Sequence, residues 1–196
     1  MTKPFISIGI PVYNGEKYLK YTLESILEQN FGDFEILISD NASIDQTESL
    51  CNYYTDKDNR IRYFRQNHNI GGIENFKFVF KESRGNYFIW IAADDLLGNK
   101  DFLKNLTDEI SDEYDCYFTQ VSIINYEGKV ILPNVMTSMN KCVTKFDFLK
   151  ESINKNSFQF YGLYKRNILE KDIKYFEICQ KLKSFNEGLF VHVVSA

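Results

Sequence analysis

Two neighbouring carboxylates, Asp94 and Asp95, stand at the end of an apolar run from Tyr87 to Ala93. A run of that length, rich in aromatic and Ile side chains, reads as a buried strand. Adjacent carboxylates at such a strand end repel each other and lose water, so a cationic partner is expected there. The chain has only two histidines, His68 and His192, so any metal would be held by oxygen ligands, which points to Mg²⁺ or Mn²⁺ rather than zinc. A hard cation held by one or two carboxylates keeps open positions for water and phosphate oxygens. The pair could therefore clamp a diphosphate and neutralise its charge as it departs. Taken alone, the same two residues read more simply as loop residues or a helix cap.

Other polar groups offer complementary chemistry. Asp40 could accept a hydrogen bond from a nucleobase N–H or a ribose hydroxyl, or simply start a turn with Asn41. Tyr13 could stack on a base or pack as an ordinary aromatic. Asp45 reads most simply as a helix cap, His68 as a solvated loop residue, and Gly71-Gly72 as a place for positive φ ahead of a helix. The first strand-to-helix turn holds only Gly15, so the dinucleotide fingerprint G-x-G-x-x-G is absent, as are G-x-x-x-x-G-K-[ST] and G-x-S-x-G.

These residues need a scaffold, and the hydrophobic pattern supplies one. Phe5 to Ile10 reads as a first strand ending at Pro11. Leu19, Leu23, Ile26 and Leu27 form the apolar face of a helix. Phe34 to Ser39 is a second strand, followed by a helix through about Tyr54 with Ser43 and Asp45 as N-cap candidates. Ile61 to Phe64 is a third strand, and a helix from about Gly72 to Glu82 places Ile73, Phe76 and Phe80 on one face. Tyr87 to Ala93 is the fourth strand, and Phe102, Leu103, Leu106 and Ile110 mark the next helix. Four strand-then-helix units imply right-handed crossovers and a mostly parallel central sheet with helices on both faces. Ligands bind such sheets at the carboxyl ends of the strands, where Tyr13-Asn14, Asp40-Asn41, Asn69 and Asp94-Asp95 all fall.

The second half is less regular. Strands are expected within Tyr114 to Ile124, at Val130 to Leu132 after a turn at Glu127-Gly128, and at Phe158 to Tyr164. Pro133 to Lys145 reads as a polar loop, with helices at Phe146 to Ile153, from Asn167 onward, and from Asn186 through Leu189, Phe190 and Val193. The chain ends inside that apolar stretch, which reads as a C-terminal truncation.

Composition narrows the classes. The chain has 196 residues, 44% hydrophobic and 26% charged, with a net charge of −4, which suits a globular domain and argues against nucleic-acid binding. Its four cysteines, Cys51, Cys116, Cys142 and Cys179, form no C-x-x-C and read as reduced thiols of a cytoplasmic protein. No apolar segment approaches the roughly 20 residues that span a bilayer.

Ile8-Gly9-Ile10-Pro11-Val12-Tyr13-Asn14 with Tyr18-Leu19, Glu35-Ile36 through Ser39-Asp40-Asn41-Ala42-Ser43-Ile44-Asp45-Gln46-Thr47, Asn69-Ile70-Gly71 and Asp94-Asp95-Leu96 together resemble the family 2 glycosyltransferases in order, spacing and strand placement. The resemblance covers roughly the first hundred residues. It implies a single GT-A-like α/β domain, a Rossmann-type sandwich over residues 1–196, with 1–97 holding a nucleotide-sugar and 98–196 facing the acceptor. It implies a sugar transferred, usually with inversion, from a nucleoside-diphosphate donor, UDP-linked in our reading, to a hydroxyl acceptor, with Mg²⁺ or Mn²⁺ as cofactor. Carried over by position, Pro11, Tyr13, Asn14, Glu16, Asp40, Asp45, Asn69 and Asp94 would bind the donor nucleotide. Asp94 and Asp95 would hold the metal, and Asp95 and Glu187 would be catalytic, Glu187 as the general base, though Glu187 also reads as an exposed first-turn residue favoured by the helix dipole. The family's earlier Asp in this region is Ala92 here, so the clamp would rest on Asp94 and Asp95 alone. The acceptor would be a growing surface glycan or a lipid-linked sugar, with peripheral attachment to the inner membrane face through a missing C-terminal part. Two alternatives stay open: a non-catalytic nucleotide-sugar-binding module, and a nucleotidyltransferase, which would need a glycine-rich basic loop where Tyr13-Asn14-Gly15-Glu16 stands.

Overall fold

The computed structural model describes residues 3–117, 121–125, 127–133, 162–172 and 193–195. The elements, in chain order, are β1 (Ile6–Val12), α1 (Leu19–Leu27), β2 (Phe34–Asp40), α2 (Thr47–Lys57), β3 (Ile61–Arg65), α3 (Gly72–Glu82), β4 (Tyr87–Trp90), β5 (Leu96–Leu97), α4 (Phe102–Asp108), β6 (Cys116–Tyr117), β7 (Val121–Ile124), β8 (Val130–Leu132), β9 (Leu163–Lys165), α5 (Arg166–Asp172) and β10 (Val193–Ser195). Among the described residues, one sheet has the order β3-β2-β1-β4-β9-β6, and a smaller one β5-β10-β7-β8. β3, β2, β1 and β4 are parallel, whereas β9 runs antiparallel to both its neighbours. The mostly parallel α/β sheet expected from the four strand–helix units is therefore present.

Strand parity explains the two layers. Ile6, Ile8 and Ile10 of β1, Ile36 and Ile38 of β2, and Ile89 of β4 pack with Leu19, Leu23 and Ile26 of α1, Cys51 and Tyr54 of α2, and Leu103 of α4. The alternate residues Leu37, Phe88 and Trp90 pack on the other face with Val79 and Phe80 of α3. Successive side chains of a strand face opposite ways, so strands covered on both sides are apolar at nearly every position. Gly9 faces α3, where a Cβ would lie 2.6 Å from the Phe88 ring and 2.8 Å from Val79. The helix can approach only because that position lacks a side chain.

Several boundaries differ from the sequence reading. β1 does not stop at Pro11 but continues to Val12, paired with β2 through Val12 and Asp40. Its ladder with β4 ends at Gly9 and Trp90, where Ile91 N donates to Gly9 O. Pro11, two residues on, faces the side where β4 has already ended, so its missing N–H removes no ladder bond. β4 is also shorter than expected, and Ile91 to Ala93 lead into a turn closed by Asp95 N donating to Ala92 O. Val193 lies in a strand rather than a helix, pairing with Ile123 in the small sheet, where a β-branched residue fits. On α3 the buried positions are Asn75, Lys77, Val79 and Phe80, while Ile73 and Phe76 are only partly covered. The helices expected at Phe146 to Ile153 and around Asn186 to Phe190, and most of the Pro133 to Lys145 loop, lie outside the described residues.

At the amino ends of the strands, on the α3 side, a buried carboxylate ties the sheet together. Glu35 is 3% exposed and accepts from Ser7 Oγ at 2.7 Å, Arg84 N at 2.7 Å, Arg84 Nη2 at 2.8 Å and Arg62 Nη1 at 3.1 Å. Burial, the largest single influence, pushes its pKa up, but the hydrogen bonds from Ser7, Arg84 and Arg62 together hold it below the ordinary 4.5. A depressed folded-state pKa adds stability that is present above the unfolded value and lost as the pH falls through the folded value. Glu35→Gln should therefore cost about 2 kcal/mol near neutrality, a drop in Tm of roughly 4–8 °C. It should also flatten the acid limb of a Tm-against-pH curve below pH 4.5. An unchanged acid limb would show that Glu35 does not supply this term.

Candidate functional site

Strand order 3-2-1-4 places the reversal of the sheet between β1 and β4, and the crevice outside the strand ends at such a point is where ligands bind in open α/β sheets. The two loops bordering β1 and β2 at that edge are joined by reciprocal hydrogen bonds. Asn14 N donates to Ser43 Oγ at 2.8 Å, and Ile44 N donates to Asn14 Oδ1 at 3.0 Å. Gly15 N donates to Thr47 Oγ1 at 2.8 Å, Glu16 N to Asp45 Oδ2 at 3.1 Å, and Gln46 N to Glu16 Oε2 at 2.9 Å. Asn14 adopts a φ of 55°, which Asn tolerates better than most residues. Ser43 is thus spent on the neighbouring loop rather than capping α2, whose N-cap position is Gln46 without a side-chain cap. Asp45 Oδ1 accepts from Thr47 N at 3.0 Å. Burial raises the Asp45 pKa, yet the hydrogen bonds from Thr47 and Glu16 bring it below the usual carboxylate range, so it is ionised at neutral pH.

Asp40 ends β2 with no exposed surface. Its Oδ1 accepts from Ser43 N at 2.8 Å, and its Oδ2 from Tyr63 Oη and Arg65 Nη1, both at 2.8 Å. Arg65 also donates to Ser43 O at 3.0 Å and pairs with Glu48 at 3.3 Å. Burial, then the bond to Asp40, pushes the Tyr63 phenol up, so it remains a donor. The carboxylate therefore ties β2, β3 and the β2–α2 loop to one point. Cys51 beneath it is pushed up to about 12 by burial and then by Asp40, which makes it an inert core thiol.

The third strand end is held by amides. Asn41 Nδ2 donates to Asn69 Oδ1 at 2.9 Å, Ile70 N to Asn41 Oδ1 at 2.8 Å, and Gly71 N to Asn69 Oδ1 at 2.9 Å. Gly71, at φ 85°, then starts α3 in a conformation that favours glycine. Asn75 of α3 is 3% exposed and reaches across both strand ends, receiving from Ser39 Oγ and donating to Ser39 O at 2.9 Å and Val12 O at 3.4 Å.

Asp94 and Asp95 lie in the turn after β4, Asp94 half-buried and Asp95 3% exposed. They do not alternate along a strand, because β4 ends four residues before Asp94. A Cβ at Gly15 would sit 3.8 Å from the Ala93 side chain, so the turn adjoins the β1–α1 loop. Among the described residues no group of three or more His, Cys, Asp or Glu could enclose a metal ion. Two carboxylates with one accessible fit Mg²⁺ or Mn²⁺ that shares its coordination with a ligand's phosphates, and do not fit a closed protein cage.

The other expected site residues divide clearly. Tyr13 is 49% exposed, so it is not a core aromatic and its ring is open to a ligand. Asn14, Glu16 and Asn69 are exposed, whereas Pro11 is buried in β1. Glu187 lies outside the described residues. Sequence reasoning missed Asn75, Tyr63 and Arg65. Tyr63 and Arg65 alternate on β3, a signal that was readable, whereas a single polar residue such as Asn75 on an amphipathic helix carries none.

Comparisons with known proteins agree with this geometry. The profile of the family described as glycosyl transferase family 2 matches residues 7–185. The GalNAc(5)-diNAcBac-PP-undecaprenol beta-1,3-glucosyltransferase of Campylobacter jejuni is 29% identical over 191 residues, 95% of this chain and 56% of its own. An uncharacterized glycosyltransferase, EpsJ, of Bacillus subtilis is 24% identical over 96% of this chain and 61% of its own. Among solved structures, S. aureus TarS 1-349 in complex with UDP superposes with a TM-score of 0.64 at 26% identity, covering 86% of this chain and 49% of that one. The mannosyltransferase PcManGT of Pyrobaculum calidifontis shares the fold, with a TM-score of 0.57 at 17% identity over 87% of this chain and 47% of that one. The chain spans less than two thirds of the length of these relatives.

Asp40→Asn tests the anchor. An amide replaces one acceptor with a donor, leaving Ser43 N or the Tyr63–Arg65 pair unsatisfied in a site with no exposure. The expected cost is about 3 kcal/mol, a fall in Tm of roughly 6–12 °C by calorimetry. A variant melting with the wild type would contradict this role.

Proposed function

The chain belongs to glycosyl transferase family 2, and from that premise we propose that it moves a sugar from a nucleoside-diphosphate donor, UDP-linked, to a hydroxyl of a glycan or lipid-linked acceptor. The observation that carries the reading is the shared edge: the β1–α1 and β2–α2 loops, Asn69 and the Asp94-Asp95 turn meet at the reversal point of a parallel sheet. The UDP complex of the 26% identical TarS supports the choice of base. The undecaprenol-linked substrate in the name of the Campylobacter relative supports a lipid-linked acceptor.

In this reading Tyr13 stacks on the base, and the Asp40-anchored loop with Asn14, Glu16, Asp45 and Asn69 shapes the nucleoside pocket. Pro11 supports the loop from below. Asp94 and Asp95 would hold Mg²⁺ or Mn²⁺, which would supply positive charge against the diphosphate. Glu187 takes the proton of the acceptor hydroxyl as its oxygen bonds the anomeric carbon. The bond from that carbon to the diphosphate oxygen breaks, the diphosphate leaves with the electron pair, and the configuration inverts. No helix among the described residues is long and apolar enough to cross a membrane. A cytoplasmic enzyme meeting its acceptor at the inner membrane face belongs to the same proposal.

A donor screen measuring UDP, GDP and CMP release from their sugar conjugates, with and without Mn²⁺, tests the class. We expect metal-stimulated UDP release that needs an acceptor. Tight UDP binding with no turnover on any donor would favour a binding module instead. Asp94→Ala should weaken metal-dependent UDP binding about tenfold or more by calorimetry. Glu187→Gln should leave UDP binding intact and lower kcat by about 10²–10⁴-fold. Full activity in Glu187→Gln would remove it from the mechanism.

A further inference from the structure

Helix α1 is bonded along one flank to the segment that carries the paired carboxylates. Thr22 Oγ1 donates to Ala93 O at 2.9 Å, and Leu97 N donates to Ser25 Oγ at 3.2 Å. Gln29, just past the helix, donates to Asn99 O at 2.7 Å and accepts from Leu103 N at 3.0 Å. Positions three and four apart share one side of a helix, so these groups form a polar stripe on an otherwise apolar face. Thr22 is fully buried and Gln29 is 8% exposed. A helical threonine usually turns its hydroxyl back to a carbonyl of the preceding turn. Ser25 does so, donating to Thr22 O at 2.8 Å, but Thr22 reaches out to another segment. The same helix is tied at its start to the opposite side of the site: Tyr18 N and Leu19 N donate to Gly15 O, while Gly15 N donates to Thr47 Oγ1.

We infer that Thr22 is a positioning residue for the metal–diphosphate site. Its hydroxyl fixes the carbonyl of the Ala93–Asp94 peptide, and α1 sets the separation of the carboxylate turn from the loops around Asn14 and Asp45. The inference rests on the reading of Asp94 and Asp95 as the metal-binding pair. It requires that loss of one hydrogen bond, with no change in any ligand-touching group, alters metal affinity in the presence of nucleotide and leaves the nucleoside contacts intact.

The test compares Thr22→Val, Thr22→Ser and Thr55→Val by calorimetry with Mn²⁺ and UDP, alongside thermal melting. Valine keeps the shape and removes the hydroxyl. Thr55, whose hydroxyl donates to Cys51 O at 2.8 Å in α2, is a control of the same chemistry away from the turn. Thr22→Val should weaken Mn²⁺ binding to the UDP complex about tenfold or more, with metal-free UDP affinity unchanged. Thr22→Ser should restore Mn²⁺ affinity, and Thr55→Val should leave it at the wild-type value. Wild-type Mn²⁺ affinity in Thr22→Val, or an equal loss in Thr55→Val, overturns the inference alone. UDP binding by the wild type that ignores Mn²⁺ overturns the underlying reading as well. If Thr22→Val does not fold, Ser25→Ala replaces it: weakened Mn²⁺ affinity supports the inference, and unchanged affinity overturns it.

Discussion

The buried carboxylate of Asp40 is the interaction on which the ligand-facing edge depends. A parallel sheet leaves backbone groups unpaired at its strand ends, and loops without regular structure must satisfy them. Asp40 satisfies Ser43 N of its own loop and binds the side chains of Tyr63 and Arg65 from β3, so one carboxylate joins the second and third strands. With Ser43 fixed, its hydroxyl meets Asn14 N, and the first loop is registered on the second. Asn41 next to Asp40 bonds Asn69, which adds the third loop to the same network. Such preorganisation lowers the ordering cost of binding.

The opposite half of the site is held by a different device. The Asp94-Asp95 turn has no strand ladder of its own, because β4 ends at Trp90. The chain on either side of it is bonded to α1, Ala93 O to Thr22 and Leu97 N to Ser25, and Asn99 O further on to Gln29. The proposed nucleoside side is thus a network of loops on a carboxylate, and the proposed metal side is a turn next to a helix. Gly15 joins the two halves. Its carbonyl accepts from Tyr18 N and Leu19 N at the head of α1 and its N–H bonds Thr47, while a Cβ there would lie 2.4 Å from Val12 Cγ2 and 3.8 Å from Ala93 Cβ.

Much of this was legible in the sequence. The four strand–helix units and the helix from Gly72 to Glu82 follow from apolar periodicity, which burial on one or both faces enforces. The polar clusters at the strand ends were readable for the same reason, since they interrupt that pattern. The strand boundaries at Pro11 and Ala93 were not, because they depend on which neighbouring strand extends furthest, a property of the sheet rather than of the residue. Asn75, Thr22 and Glu35 were hidden for another reason. A polar residue on a helix or strand reads as solvent-facing until a partner distant in sequence, such as Ser39, Ala93 or Arg84, is brought to it. Val193 shows the converse: an apolar residue near the chain end fits helix or strand equally well until Ile123 pairs with it.

The central claim is that one edge of the sheet holds a nucleoside diphosphate between the Asp40-anchored loops and the Asp94-Asp95 turn. The most direct measurement is a crystal structure of the chain with UDP and Mn²⁺, with the ion located by its anomalous scattering. The account predicts an anomalous peak about 2.0–2.4 Å from a carboxylate oxygen of Asp94 or Asp95, bridged to the diphosphate, with the uracil against Tyr13 and the β2–α2 loop. Uracil seated elsewhere on the molecule, or an ion bound away from both carboxylates, would contradict it.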